Sequence, residues 1–398
     1  MILLKEFDDV TYLSGNKEVV IKPSKPLNAL ARGFLNELSV ELRKSNESKS
    51  YPDLMAFAFW CRRANIDALQ TKLGYQDQRL GHGLVFHIAP SNVPLNFAYS
   101  FAFGLLAGNS NIVKTTSKDF PQIGILSGFI DGILNRDQFT EIRKRTAFIK
   151  YSRNDAVTAY LSSQCNARVI WGGDSTIEDI RKHPLPVRSV DIAFSDRFSF
   201  CIIDADSLIK LPPHELNKVA ARFYNDTYLV DQNACSSPHL VIWLGKGKQR
   251  AKNDFWQAVY EHALSRYELH SVSAVDKYVK LCHSAINVDK ISFLKHGNLI
   301  YRLGLHTLPV DFDQLRGNCG YFYEYETDDL GDISHIVDRK YQTLTYFGVD
   351  KLDLMQYVIK NRLMGIDRIV PIGDALDMNF IWDGYDVIGT LSRIIDYR

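Results

Sequence analysis

One cysteine set among small and polar residues gives the first chemical lead. In Tyr228-Leu-Val-Asp-Gln-Asn-Ala-Cys-Ser-Ser-Pro-His239, Cys235 is flanked by Ala234, Ser236 and Ser237 and precedes the apolar run His239–Leu244. A thiol at such a loop-to-strand junction is accessible and close to backbone N–H groups, the two conditions a nucleophile needs. The plainer alternative is a half-buried structural cysteine, which a lone Cys is more often than not. A second stretch, Gly83–Lys114, weighs against that alternative because its loops are suited to holding a cofactor.

The elements that would position both stretches follow from periodicity. Leu84–Ile88 reads as an apolar strand, Pro94–Ala107 as a helix and Asn111–Lys114 as a strand. Phe120–Leu134 (helix), Thr146–Tyr151 (strand), Asp155–Gln164 (helix), Arg168–Trp171 (strand), Ser175–Lys182 (helix) and Ser189–Phe194 (strand) continue the rhythm. Such alternation, with near-continuous apolar strands, means a parallel sheet covered on both faces. Ligands of these sheets lie beyond the carboxyl ends of the strands. There the sequence places Ala89-Pro-Ser91-Asn92-Val-Pro94, Lys114-Thr-Thr-Ser117-Lys118 and Trp171-Gly172-Gly173-Asp174. A glycine pair opening a helix suits the approach of a phosphate to backbone N–H groups. No Gly-x-Gly-x-x-Gly is present, which disfavours an ordinary Rossmann dehydrogenase.

Before this region come short strands over residues 1–25 and a helix burying Leu27, Leu30, Phe34, Leu38 and Leu42. Another helix is expected to begin at Asp53 and to carry Leu54, Phe57, Ala58, Cys61 and Leu69 inward, with Gly74 past its end. From about Asp204 the pattern changes. Helices at Pro212–Asn225, Lys248–Arg266 and Val272–Ile286 mix with strands at His239–Leu244, Leu299–Leu303, Gly320–Glu326, Tyr341–Gly348 and Arg368–Ile372. With 398 residues, two domains are expected. We place them at 1–205 (N-terminal and cofactor-binding) and 206–375 (catalytic), with 376–398 packing back or meeting another subunit.

Composition narrows the partners. A formal net charge of +1 without a basic tract argues against nucleic acid and anionic membrane surfaces. The uncharged run between Leu80 and Val113 is broken by Pro90, Pro94, Gly104 and Gly108, so it is not a membrane span. The N-terminus turns acidic too early for a signal peptide. The six cysteines are scattered without Cys-x-x-Cys, which fits free thiols in a reducing cytoplasm and neither a disulfide frame nor a structural metal.

At this point a resemblance can be read. Ile88-Ala-Pro-Ser-Asn-Val-Pro94, Ala107-Gly-Asn109 and Ile112-Val-Lys114 resemble the first cofactor-domain motifs of the aldehyde dehydrogenase superfamily. Ile203-Asp-Ala-Asp206 and Gln232-Asn-Ala-Cys235 resemble its segment leading to the catalytic cysteine. Within it the chain is most similar to LuxC-type fatty acyl-CoA reductases. That similarity rests on Arg168-Val-Ile-Trp-Gly-Gly-Asp174, Asp231–His239, Lys340–Gly348, Asp367–Gly373 and Ile381–Asp386.

The resemblance implies an α/β, aldehyde dehydrogenase-like fold, with a parallel Rossmann-like cofactor domain and a second α/β catalytic domain. It implies that Cys235 takes the acyl group and that the Asn92 amide, with the cysteine N–H, forms an oxyanion hole. Lys114 would contact the adenosine ribose or its phosphate, and Gly172, Gly173 and Asp174 the pyrophosphate. Ala89, Ser91 and Ser117 complete the implied cofactor site, which contains no metal. Without the resemblance, Asn92 reads as a turn residue before Pro94 and Lys114 as a solvated strand end.

Two departures carry meaning. Oxidising members have a Glu-Leu-Gly-Gly-Lys stretch whose glutamate activates water. Here the region is Asp191-Ile-Ala-Phe-Ser-Asp196, with Asp191 as a shorter stand-in. Ser117 stands where the superfamily has an acidic ribose ligand. Both point to a cytoplasmic, NADPH-using reductase of acyl-CoA or another acyl thioester. The resemblance further implies an acyl-activating synthetase or acyl carrier protein as donor, and a homo-oligomer joined by edge strands. The rival readings are an NAD(P)-dependent aldehyde dehydrogenase oxidising aldehyde to acid, a cysteine acyltransferase or thioesterase, and a silent assembly partner.

Overall fold

A computed structural model describes residues 2–4, 7, 9–74, 78–90 and 93–397. Two compact units emerge: residues 1–195 with 378–398, and residues 196–377.

The first unit is built on six strands: β1 (Thr11–Gly15), β2 (Leu84–Ile88), β3 (Ser110–Lys114), β4 (Thr146–Lys150), β5 (Ala167–Trp171) and β6 (Val190–Phe194). Their order is β1-β4-β3-β2-β5-β6, all parallel except β1, which lies antiparallel on β4 at the edge. Alternate residues serve opposite faces, so both faces are apolar. Val85, Val113, Phe148 and Val169 pack with Phe34, Leu38, Phe97 and Phe101, whereas Phe86, Ile112, Ile149 and Ile170 pack with Val157 and Leu161. The helix Ala29–Lys44 starts where the Asn28 side chain accepts from the Ala31 N–H and ends on Arg43 and Lys44, matching its dipole.

The pattern beginning at Asp53 forms two helices, not one: Pro52–Trp60 and Arg63–Leu73. Side chains supply the bonds that the break removes. Asn65 Nδ2 donates to the Trp60 carbonyl at 2.9 Å, and the Arg63 N–H donates to Asn36 Oδ1 at 3.2 Å.

A polar chain crosses this apolar interior. Trp171 Nε1 donates to Ser100 Oγ (3.0 Å), Ser100 pairs with His87 Nδ1 (2.7 Å), and His87 Nε2 pairs with Asn111 Oδ1 (3.0 Å). Every member is bonded, as a buried network requires. Burial holds the His87 pKa down at about 4, so the ring is neutral in the fold. An unfolded histidine takes its proton near pH 6.5, so stability is full above that value and is lost as pH falls toward 4. Between pH 7 and pH 4.5 the melting temperature should therefore fall more for the native protein than for His87→Gln. Equal slopes would remove His87 from the account.

Residues 378–397 return to this unit. Asn109 Nδ2 donates to the Leu391 carbonyl at 2.8 Å, Arg79 Nε to Ser392 Oγ at 2.9 Å, and Ser392–Ile394 pairs antiparallel with Arg79–Gly81. Phe380 packs edge-on against Trp60 and Phe103.

The second unit holds β7 (Phe198–Asp204), β8 (Pro238–Leu244), β9 (Ser292–His296), β10 (Ile300–Leu305), β11 (Tyr321–Glu326), β12 (Tyr341–Phe347) and β13 (Arg368–Pro371). The order is β9-β10-β11-β8-β7-β12-β13, parallel throughout except for the β9–β10 pair. Phe200, Ile202, Leu240, Ile242 and Leu303 face one side, and Cys201, Ile203, Val241, Trp243 and Phe322 the other. Arg302 and Glu324 form an ion pair at 2.9 Å, each side chain only 3% exposed. The indole N–H groups of Trp243 and Trp256 both donate to Glu324 Oε1 at 2.8 Å. Among the described residues, no helix is long and apolar enough to cross a membrane.

Candidate active site

In the first unit, the register aligns three strand ends. Ile88 lies opposite both Lys114 and Ile170, so β3, β2 and β5 finish side by side. The Ala89 N–H donates to the Lys114 carbonyl at 3.1 Å, and the Gly172 N–H to the Phe194 carbonyl at 3.2 Å. Ala89, Lys114 and the Gly172–Asp174 turn therefore share one carboxyl edge, whereas Ser91 and Asn92 lie outside the described residues.

Lys114 is not a solvated strand end. It is half-buried with its ammonium 4.9 Å from the centre of the Tyr151 ring, and burial lowers its pKa. The aromatic face holds the ammonium in place, and an anion bound beside it would offset the cost of its burial. Ser117 and Lys118 are exposed just beyond it. The helix Asp174–Arg181 begins without a side-chain cap on its first N–H groups, and a Cβ on Gly173 would meet open space. Uncapped N–H groups behind an open glycine, on the same carboxyl edge as a held lysine, are groups of the kind that receive phosphates.

Asp191 does not occupy the role expected of it. It sits near the amino end of β6 opposite Arg168, bonded to Arg168 Nη2 at 2.9 Å and Arg181 Nε at 3.3 Å. Arg168 is almost wholly buried, so its guanidinium needs this carboxylate. As a stand-in for the missing glutamate, Asp191 is therefore overturned, because its carboxylate is already committed to that ion pair.

In the second unit, the thiol loop follows the helix Pro213–Thr227 and a 3₁₀ turn, Tyr228–Val230. Asp231 and Gln232 then take left-handed φ angles of 50° and 61°, which costs non-glycine residues energy. The buried Gln232 amide holds that shape. Its Nε2 donates to the Pro238 and Tyr321 carbonyls at 3.0 and 3.1 Å, and its Oε1 accepts from the Gly320 and Tyr321 N–H groups, both at 3.1 Å. Ser237 Oγ donates to the Asp226 carbonyl at 2.7 Å, and Ser199 Oγ to the Cys235 carbonyl at 2.7 Å. The backbone on both sides of the thiol is thus fixed.

Cys235 itself is half-buried, with Sγ 3.8 Å from Asp196 Oδ1. Arg316 Nη1 donates to the same oxygen at 2.7 Å. The guanidinium lies 5.7 Å from the Phe198 ring centre, and Arg316 Nε donates to the Asp313 carbonyl at 3.2 Å. His239, four residues past the thiol, is no base. It is buried, stacks on Phe198 at 5.4 Å, pairs through Nδ1 with the Gly317 carbonyl, and has its pKa pushed down to about 3 by burial. Burial pushes the Cys165 thiol up to about 12 and the Cys61 and Cys201 thiols upward as well, which leaves them unreactive. Sequence alone does not single out Asp196, Arg316, Gln232 or Ser199 as site residues, although Asp196 closes the stretch Asp191–Asp196 and Gln232 opens Gln232–Cys235.

Comparison with known proteins adds a family and a fold. A family model described as acyl-CoA reductase (LuxC) matches residues 61–275, more than half of the chain. Among curated proteins none matches significantly. Solved structures with similar folds include aldehyde dehydrogenase 21 from Physcomitrella patens, in complex with succinate (TM-score 0.66, 12% identity, covering 93% of this chain and 86% of that one). An NAD-dependent benzaldehyde dehydrogenase from Corynebacterium glutamicum gives TM-score 0.62 at 13% identity, covering 93% and 85%. Glyceraldehyde-3-phosphate dehydrogenase GapN from Methanocaldococcus jannaschii, complexed with NADP, gives 0.62 at 15% identity, covering 92% and 88%. At such identities the likeness establishes the aldehyde dehydrogenase fold alone.

Proposed function

Because the chain belongs to the acyl-CoA reductase (LuxC) family, we propose that it reduces a fatty acyl thioester to an aldehyde with NADPH, through an acyl group carried on Cys235. The observation that carries this reading is the Cys235 loop. A half-buried thiol inside the family-matched region has its backbone pinned by Gln232, Ser199 and Ser237, while the Cys61, Cys165 and Cys201 thiols are buried.

In this reading Cys235 Sγ attacks the acyl carbon and the carrier thiol leaves. The resemblance gives the oxyanion two donors, the Cys235 N–H and the Asn92 amide, and one preorganised donor would contribute about 3–4 kcal/mol. When bound, NADPH supplies the hydride that converts the thioacyl group to the aldehyde level. Cys235 regains its proton as the hemithioacetal opens. The Asp191 carboxylate is engaged by Arg168 and Arg181, and in this reading no base is assigned to activate water. We assign cofactor binding to the first unit, through Ala89, Ser91, Lys114, Ser117, Gly172, Gly173 and Asp174, and the acyl chemistry to the second. The enzyme would work in the cytoplasm on acyl-CoA or on an acyl group handed over by a synthetase or acyl carrier protein.

The test is to incubate the protein with NADPH and a panel of acyl-CoAs. Aldehyde should form, and free acid should not. The cofactor choice has its own prediction. A 2′-phosphate near Lys114 and Lys118 gains charge-assisted hydrogen bonds, and a carboxylate at position 117 would repel it. Ser117→Glu should therefore weaken NADPH binding at least about tenfold and leave NADH nearly unchanged. Equal or tighter NADH binding by the native protein would defeat the NADPH assignment.

A further inference from the structure

The thiol of Cys235 faces a carboxylate that the proposed reaction has not yet used. Asp196 Oδ1 stands 3.8 Å from Sγ and takes a 2.7 Å bond from Arg316 Nη1. Two features make this more than a surface ion pair, which by itself would have little energetic meaning. The guanidinium is fixed on three sides: by Asp196, by the Asp313 carbonyl and by the Phe198 ring. The Cys235 carbonyl is fixed by Ser199, so the thiol and the carboxylate are both anchored to β7 and its approach. His239, the nearest imidazole in sequence, is buried, neutral and engaged with Gly317. Thioester attack needs a proton acceptor within hydrogen-bond reach, and such contacts shorten when substrate arrives.

We propose that Asp196 is the base that takes the proton of Cys235 during acylation, with Arg316 as the residue that positions it. As the Sγ–carbon bond forms, the thiol proton passes to the Asp196 carboxylate. As the carbon–sulfur bond to the carrier breaks, the carrier leaves as a thiolate and takes that proton from Asp196. No electrons are exchanged in this half of the reaction, and Asp196 returns to its starting state. The proposal rests on the reading of Cys235 as acyl carrier.

A carboxylate beside the thiol has a consequence that a merely structural role would not share. Its negative charge repels an anionic sulfur, yet it accepts the thiol proton when a thioester is attacked. Asp196→Asn should thus move two rates in opposite directions. Alkylation of Cys235 by iodoacetamide at pH 7 should become faster, by about tenfold, once the neighbouring negative charge is removed. Acylation by acyl-CoA, followed by intact mass spectrometry without cofactor, should slow about a hundredfold or more. Arg316→Gln should also slow acylation, and Arg316→Lys should recover part of the loss. Melting temperatures of all three variants would establish that they fold.

If both rates fall together, or acylation is unchanged, the proposal is overturned while the role of Cys235 stands. If Asp196→Asn slows only the loss of a preformed acyl group to water, the carboxylate aims water instead and the proposal is likewise overturned. If the native protein forms no adduct at Cys235, both the proposal and the reading beneath it fail.

Discussion

Cys235→Ala is expected to remove aldehyde formation, by at least about a thousandfold, while the protein still folds. The native protein mixed with acyl-CoA should gain one acyl group, found on the peptide 231–239 and released as aldehyde when NADPH is added. The variant should gain none. Its melting temperature should hardly move, because a half-buried thiol gives up little packing and the loop is held by Gln232, Ser237 and Ser199. The buried positions of Cys61, Cys165 and Cys201 leave them unable to substitute. Aldehyde production by Cys235→Ala, or an adduct on another cysteine, would end the mechanism proposed here. Rapid release of free acid without cofactor would instead make the protein a thioesterase.

The largest stability effect is expected at Glu324. Its carboxylate accepts from Arg302 and from the indole N–H groups of Trp243 and Trp256, in a place with almost no solvent. Glu324→Leu strands a buried guanidinium and two indole donors, which costs roughly 3–5 kcal/mol. For a unit of this size, that lowers the melting temperature by about ten degrees. The double variant Arg302→Met, Glu324→Leu should recover the part of the loss that comes from the unpaired charge, while the two indole donors stay unbonded. A double variant no more stable than the single one would show that the pair does more than satisfy itself.

Both predictions lean on features of unequal visibility in the sequence. The carboxyl-edge loops were legible because apolar strands alternate with helices, and that rhythm alone puts Lys114 and Gly172–Gly173 at one edge. Cys235 was legible from its small neighbours. The Asp196–Arg316 bond was not, because the partners are 120 residues apart and lie outside any regular element. Asp191 misled because alignment to a motif carries no information about which partner a carboxylate already has; here it is Arg168 on the next strand. Strand β9 gave no signal because four of its five residues, Ser292–Lys295, are exposed, and the helix Lys351–Lys360 buries only Leu354. The break at Cys61–Arg62 depends on Asn65 and Asn36, whose side chains act across space.

The return of residues 378–397 to the first unit has a consequence for the order of synthesis. The ribosome completes residues 196–377 as an unbroken run, and that unit has all its strands once Pro371 is out. The first unit, although begun earlier, must wait for Phe380 to cover Trp60 and for Leu391 to accept from Asn109. Its older half therefore spends the whole translation of the younger unit with part of its core open, the kind of surface on which chaperones act. A stalled chain ending near residue 377 should resist protease across 196–377 while its first unit is cut.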